Sequence, residues 1–255
     1  MLRKLAPTLL LTGLLAAGCG SDFERAGAQS DARTLLRETA SATQEIESAA
    51  LDLKARVEGE AANVKGAFEV SEEGRLPKFS MTATHGGETA GATWTGEKGY
   101  VTLDGTPYEV SGLLSGQIEA GFEEAFKRRA LAPDVSRWIA NPRNEGVADV
   151  RGEETVKITG TADAARVMAD VQPLVAQAKS LQFGADRFER EKAAKAIGSL
   201  SVTVYTGATD RILRRLVIKG DDVAFDLVLT RVGSDQDIEA PSGARPFSEL
   251  LQRVR

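Results

Sequence analysis

The chain has one cysteine, Cys19, and one histidine, His85, among its 255 residues. A single cysteine excludes an internal disulfide bond and a thiolate metal cluster. His85 lies beside Gly86 and Gly87 in a predicted turn. Zinc sites and catalytic triads usually need more histidine or cysteine residues than this sequence contains. We therefore predict no metal site, no cofactor and no enzymatic activity.

The chain also has no excess of positive charge, since its formal net charge is −5. A mildly acidic chain is not typical of proteins that bind nucleic acid, and we predict no such partner. The sequence contains no phosphate loop and no nucleotide-binding fingerprint. Its densest basic cluster, Lys127-Arg128-Arg129, fits either a solvated helix face or a mouth that grips a lipid phosphate.

No apolar run reaches the roughly 20 residues that a membrane-spanning helix needs. The longest run, from Leu5 to Ala17, follows the basic residues Arg3 and Lys4 and ends at Gly18-Cys19. A basic start followed by a short apolar run is typical of a secretory signal. The next residues, 19–30, are mostly small and polar, which predicts a flexible tether.

The first part of the mature chain predicts one helix followed by an antiparallel meander. Asp31 can cap a helix that extends to about Ala49 and carries Leu35 and Leu36 on its apolar stripe. Apolar and polar residues then alternate from Leu51 to Val57, which indicates a strand with one buried face. Similar short strands repeat through residues 50–110, so we expect about six of them, with antiparallel neighbours because the connections are short.

The second part alternates between predicted helices and strands. Helices are expected over residues 113–130 and from Asp163 and Asp186, with a short helix carrying Trp138 that ends at Asn141-Pro142. Residues 146–161 are expected to form one strand. Three strands within residues 200–232 and a short terminal helix complete the order.

These elements predict an α+β fold in which helices pack on the concave face of a strongly curved antiparallel sheet, or half-barrel. We predict a signal peptide over residues 1–18, the tether over 19–30 and a single domain over 31–255.

Two features of the sequence resemble those of known proteins. Leu15-Ala16-Ala17-Gly18-Cys19 resembles the lipobox of bacterial lipoproteins, which implies cleavage before Cys19 and acylation of its thiol. The order of elements resembles the actinobacterial lipid-binding lipoproteins of the LppX/LprG type and, more distantly, the LolA/LolB-like lipoprotein carriers. The lipobox contributes to this family resemblance, and four later segments carry the rest of it. These are the Leu35-Leu36 helix before the Leu51–Val57 strand, the Trp138 segment, Val156 to Gly160 before the Asp163 helix, and the ending with Ile238, Pro241, Ala244-Arg245-Pro246 and Leu250.

The resemblance implies an apolar cavity between the sheet and its helices that accepts acyl chains. Small residues such as Gly66, Ala83 and Ala92 share the strands with larger ones, which suits either a hollow interior or an ordinary packed core. The candidate cavity residues are Leu53, Val57, Phe68, Phe79, Met81, Trp94, Phe122, Phe126, Trp138, Phe225 and Leu227.

We therefore expect a lipid or lipoglycan carrier anchored by Cys19 on the extracytoplasmic face of the cell membrane, or facing the periplasm in an organism with two membranes. It would do no covalent chemistry. The alternative is an envelope protein-binding or stress-sensing module on the same fold, with a membrane protein as its partner.

Replacement of Cys19 by Ser should release the protein from the membrane. Each buried methylene of an acyl chain contributes about 0.8 kcal/mol to anchoring, and no other residue in the chain can carry a thioether-linked lipid. Detergent phase partitioning and labelling with an acyl analogue measure the effect. Unchanged partitioning of the Cys19→Ser chain would contradict the predicted anchor.

Overall fold

Twelve β-strands and two α-helices make up most of the chain that the computed structural model describes, namely residues 31–70, 76–110, 134–164, 167 and 199–253. The helices are α1 (Ala32–Gln44) and α2 (Phe247–Arg253). The first six strands are β1 (Ser48–Val57), β2 (Glu60–Glu69), β3 (Lys78–His85), β4 (Glu88–Trp94), β5 (Gly99–Leu103) and β6 (Thr106–Glu109). The others are β7 (Ile139–Val150), β8 (Glu153–Asp163), β9 (Ser199–Gly207), β10 (Leu213–Lys219), β11 (Val223–Thr230) and β12 (Arg245–Pro246).

All twelve strands belong to one open sheet, in the order β12-β6-β5-β4-β3-β2-β1-β11-β10-β9-β8-β7. The chain enters at the middle with β1, meanders outward to β6, and is next described at the opposite edge in β7. From there it meanders back to β11, which pairs with β1. Only the short β12 runs parallel to its neighbour, β6. The antiparallel sheet and the six-strand meander are thus confirmed, and the open order is consistent with a half-barrel.

Helix α1 begins where the sequence predicts and ends earlier. The Asp31 carboxylate accepts a hydrogen bond from the Thr34 amide at 3.1 Å, as an N-cap should. The helix ends at Gln44 rather than near Ala49, because Ser48 and Ala49 already pair with Glu69 and Phe68 of β2.

The strand register gives the central sheet two chemically different faces. Leu53 of β1 lies between Val64 of β2 and Leu227 of β11. The next residue, Lys54, lies between Asn63 and Asp226 and points to the other side. We call the side of Leu53 the apolar face and the side of Lys54 the polar face.

The prediction for residues 135–161 is wrong in two respects. Instead of a helix that ends at Asn141-Pro142, a 3₁₀ turn over Val135–Arg137 leads into β7, which continues through both residues. The register of β7 shifts on either side of the segment 143–144, and Asn141 takes a φ of 48°. Proline is tolerated here because β7 is an edge strand with bulges.

Residues 146–161 were expected to form one strand, and they instead form the end of β7 and most of β8. The two strands are joined by Arg151-Gly152, whose φ values are both positive, 56° and 86°. Two such residues make the tight turn that suits a hairpin.

Within the described residues, two hydrophobic clusters pack on the sheet. In the first, which we call the α1 cluster, Leu35 and Leu36 of α1 lie against strands β7 to β10 and are at most 1% exposed. The second, which we call the Trp94 cluster, comprises the buried residues Leu76, Phe79 and Trp94. The helices expected over 113–130 and 186–196 lie outside the described residues, as does most of the one after Asp163, so helices on the concave face stay a prediction.

Replacement of Gly160 by Ala should destabilise the fold by about 1–3 kcal/mol, because an added methyl group overpacks a tight contact. It would collide with the Ile139 side chain and lie 2.9 Å from the Ala140 carbonyl oxygen. Urea unfolding measures the change. The control is Gly99→Ala, where the nearest atom is 3.5 Å away. Equal stability of the two variants would argue against the pairing of β7 with β8.

Candidate functional site

Eight of the predicted cavity residues lie on the apolar face of the sheet. The register places Phe68, Phe79 and Trp94 side by side across β2, β3 and β4, and Met81 packs against this group. Leu53 and Val57 of β1 face Leu227 and Val223 of β11, and Phe225 lies between these two rows. The structure therefore brings these residues onto one surface in two groups.

Trp138 belongs to a different environment. It is 3% exposed and lies in the α1 cluster, at the end of the 3₁₀ turn that precedes β7. Phe122, Phe126 and Cys19 lie outside the described residues, so the structure does not place them.

The space above Gly66 is filled. A methyl group built at Gly66 would overlap the Met81 sulfur, and it would approach the Ser80 carbonyl oxygen to 2.5 Å. Met81 therefore lies across β2 at the position where the glycine has no side chain. Gly66 is one of the small residues that suit a hollow interior. In the structure it instead makes room for Met81, which packs at the margin of the Trp94 cluster.

The apolar face is less covered between the two clusters. Five residues on the central strands β1, β2 and β11 are half-buried, namely Leu51, Leu53, Val64, Phe225 and Leu227. Leu51, Phe225 and Leu227 pack against the α1 cluster, but the fully buried residues lie in the clusters on either side. We call these five residues the central strip. It is a continuous apolar surface, because its members are neighbours in the register of three adjacent strands.

A groove of about 920 Å³ crosses the polar face, and sequence reasoning missed it. Residues from β1, β2, β3, β8, β9, β10 and β11 and from the β3–β4 turn line it. Five of its lining residues are basic, namely Lys54, Arg56, Lys157, Arg215 and Lys219, and one, Asp226, is acidic. Alternation along β1 and β10 could have placed pairs of these residues on one face, but the sequence does not reveal that β8 to β11 lie beside β1.

Of the ion pairs among the described residues, only that of Arg215 with Asp226 lies wholly within the groove lining. Two guanidinium nitrogens of Arg215 donate to the Asp226 carboxylate at 2.8 and 2.7 Å. The guanidinium carbon also lies 5.7 Å from the centre of the Tyr205 ring. Hydrogen bonds from Arg215 lower the pKa of Asp226, and the positive charges of Lys54 and Lys219 act in the same direction.

The adjacent Arg214 lies at a shift in the register of β10 and is not part of the groove lining. It pairs with Glu153 of β8 and with Asp210, the latter at 2.6 Å. Burial acts to lower the pKa of Arg214, but the hydrogen bonds to the two carboxylates outweigh it and raise that pKa. Arg214 thus links β10 to β8.

His85 lies exposed at the rim of the groove, where its Nε2 atom is 3.6 Å from a Glu60 carboxylate oxygen. Within the described residues, no group of three or more His, Cys, Asp or Glu side chains is placed to hold a metal ion. Of the helices that the structure describes, none is long and apolar enough to cross a membrane.

The open, almost entirely antiparallel sheet of this chain is also found in known proteins. Two solved structures share it with this chain. LprF from Mycobacterium bovis has a TM-score of 0.55 at 20% identity, over 83% of this chain and 97% of its own. Lipoprotein LppX from Mycobacterium tuberculosis has a TM-score of 0.51 at 16% identity, over 82% and 100%. The resemblance to this group that the sequence indicates is therefore confirmed for the fold.

No protein-family model and no curated protein sequence matches this chain. The likeness is thus one of structure at low sequence identity.

Replacement of Asp226 by Asn should lower stability at neutral pH, by up to about 1 kcal/mol since the pair is one-third exposed. A carboxylate whose pKa is lowered stabilises the fold above its unfolded-state pKa, 3.8, and this stabilisation is lost as the pH falls through the lower folded-state value. The difference between wild type and Asp226→Asn should therefore shrink below pH 3.8.

Unfolding free energies from urea titrations between about pH 7 and pH 3 measure this difference. Asp221→Asn, an exposed change in the β10–β11 turn, is the matched control. A gap between wild type and Asp226→Asn that stays constant over the whole range would contradict the assignment of the pKa to the Arg215 pair.

Proposed function

We propose that this chain is a lipid-anchored extracytoplasmic lipoprotein that binds a lipid or lipoglycan on the apolar face of its sheet and does no covalent chemistry. The central strip carries the proposal. It is a continuous apolar surface, only half-buried, and it lies between two clusters that are packed. The shared fold with LprF and lipoprotein LppX supports this choice of function.

Acyl chains suit the central strip physically. Leu51, Leu53 and Leu227 present aliphatic side chains, and Phe225 adds one ring, so the surface offers no hydrogen-bond donor from its side chains. Each methylene that leaves water for such a surface contributes roughly 0.8 kcal/mol. Binding strength would then scale with chain length, and selectivity would come from polar groups at the mouth of the site.

The flanking clusters would set the boundaries of the ligand site. On one side, Phe68 and Met81 close the surface against the buried Trp94. On the other, the strip meets Leu216 and Ile218 of the α1 cluster. Phe122 and Phe126 remain candidates for the helical cover of the site.

The location of the protein follows from the same proposal. Acylation of Cys19 would hold it at the membrane, with residues 19–30 as a tether, on the extracytoplasmic face or facing the periplasm in an organism with two membranes. A carrier in this position meets lipid at the bilayer surface, where it can load and release cargo without spanning the membrane.

Protein that lacks residues 1–19 and is purified without detergent should retain an amphiphile, and Leu53→Trp should lower its amount by more than about half, since the larger side chain fills the site. Mass spectrometry of an organic extract measures the ligand, and uptake of a fluorescent fatty acid gives a second readout. Lys65→Trp is the matched control, because Lys65 is exposed on the polar face of the neighbouring strand.

Recovery of no amphiphile from wild type, together with no uptake of the fluorescent fatty acid, would contradict a carrier function. Capture of one membrane protein by such a lipid-free chain would then favour the protein-binding alternative.

A further inference from the structure

Among the described residues, four of the five basic residues in the polar groove have no carboxylate partner. Arg215 is paired with Asp226, whereas Lys54, Arg56, Lys157 and Lys219 make no ion pair in the part of the chain that the structure describes. Lys54 and Lys219 act on Asp226 only at longer range, through their charge. Since Asp226 is already neutralised by Arg215, the groove keeps an excess of positive charge.

This excess is local. The chain as a whole carries 32 Lys and Arg residues against 37 Asp and Glu residues. Cations that lie together inside a concave surface reinforce one another's field, because the low-dielectric wall limits screening by water. A groove of this kind on an acidic protein attracts an anion that the rest of the surface repels.

Two of the unpaired cations are placed to hold a single anionic group. Arg56 of β1 and Lys219 of β10 both lie in register with Ala224 of β11, the strand between them. Adjacent strands are about 4.8 Å apart, so their backbones are separated by roughly 10 Å. Ala224 adds only a methyl group between them. We call this gap, bounded by Arg56, Ala224 and Lys219, the cation notch.

The rest of the lining is mixed: it includes apolar residues such as Val217 and Phe225, and it also offers hydroxyl and amide groups. Ser201 continues the row of the cation notch onto β9, and Thr203 and Asn63 lie one row further along the groove. Such groups match the hydroxyls of a polyol. The concave shape, which extends across seven strands, fits a compact head group better than the flat surface of a bilayer.

We propose that the polar groove is a second binding site, distinct from the apolar face, for a phosphate-bearing polyhydroxylated group. The cation notch holds the phosphate, and Lys157 and Lys54 contact further anionic groups. The ligand is either a soluble polyol phosphate or the phosphorylated polyol head group of a lipid, because the two share this chemistry. Lys54 and Arg56 alternate along β1 with Leu53 and Ala55, so the site lies on the opposite side of the sheet from the central strip.

Isothermal titration calorimetry of the mature, lipidated protein in uncharged detergent micelles tests the proposal. The probes are inositol hexakisphosphate, water-soluble dibutanoyl phosphatidylinositol 4-phosphate, and uncharged myo-inositol. The Arg56→Gln/Lys219→Gln double variant should weaken binding of the phosphate probes at least about tenfold, since two charge-assisted contacts are lost. Ala224→Glu should weaken it similarly, by placing a carboxylate in the cation notch.

The matched control is Lys65→Gln, which removes one exposed cation from the polar face outside the groove and should change affinity by less than about twofold. Thermal unfolding of every variant confirms the fold. The double variant should also keep its amphiphile on the apolar face, so failure of this proposal is distinguishable from failure of the carrier function.

Binding of only the soluble phosphate or only the short-chain lipid supports the site and identifies the source of its ligand, and binding of both supports recognition of the shared head group. The proposal is overturned if neither phosphate probe binds, if myo-inositol binds equally well, or if Lys65→Gln weakens binding as much as the double variant does.

Discussion

The pairing of β1 with β11 is the contact on which the rest of the sheet depends. β1 to β6 and β7 to β11 are separate meanders, and this antiparallel ladder joins them into one surface. Eight residue pairs connect the two strands, from Ala50 and Thr230 to Val57 and Val223. Further backbone hydrogen bonds close both ends, from Glu58 to Asp222 and from Gly233 to Ser48. Without this ladder, neither the central strip nor the polar groove would exist, since each draws residues from both meanders.

The register of this ladder is fixed by the chemistry of its two sides. Side chains alternate along a strand, so a shift of one residue would exchange the two faces of β1. Such a shift would bring Lys54 and Arg56 toward the hydrophobic clusters and expose Leu53. On the polar side, the bidentate ion pair of Arg215 with Asp226 likewise favours the observed register of the neighbouring strands β10 and β11. The separation of an apolar from a cationic surface is thus also what aligns the strands.

Local patterning predicted the first meander well, because its strands are short, alternate cleanly and are joined by tight turns. Leu51 to Val57 is the clearest example, and its apolar residues do share one face with those of the neighbouring strands. The strands of the second meander were harder to predict from local patterning. β7 contains Asn141, Pro142 and two shifts of register, so its sequence has no period of two and resembles a helix end.

The polar groove could not be read from sequence for a different reason. Each of its cations looks like an ordinary solvated residue on its own strand, and Lys157 lies about a hundred residues from Lys54 along the chain. Only the topology, in which the chain returns from the far edge to pair with its own first strand, places them together. The candidate residues of the apolar face could be found from the sequence because a buried face gives apolar alternation on every strand that contributes to it. A charged groove gives each strand only the pattern of an ordinary solvated face.

The division of the core into two clusters bears on how a sheet of this kind could accommodate a ligand. A cavity inside one well-packed core costs stability in proportion to its volume, because the surrounding side chains lose contacts that they cannot replace. Here, fully buried residues such as Val156, Val202 and Val204 lie in the α1 cluster, away from β1. Packing on the outer strands can therefore stabilise the fold while the central strip stays available. On this reasoning, substitutions in the central strip should affect ligand uptake more than stability, and substitutions in the α1 cluster should do the reverse.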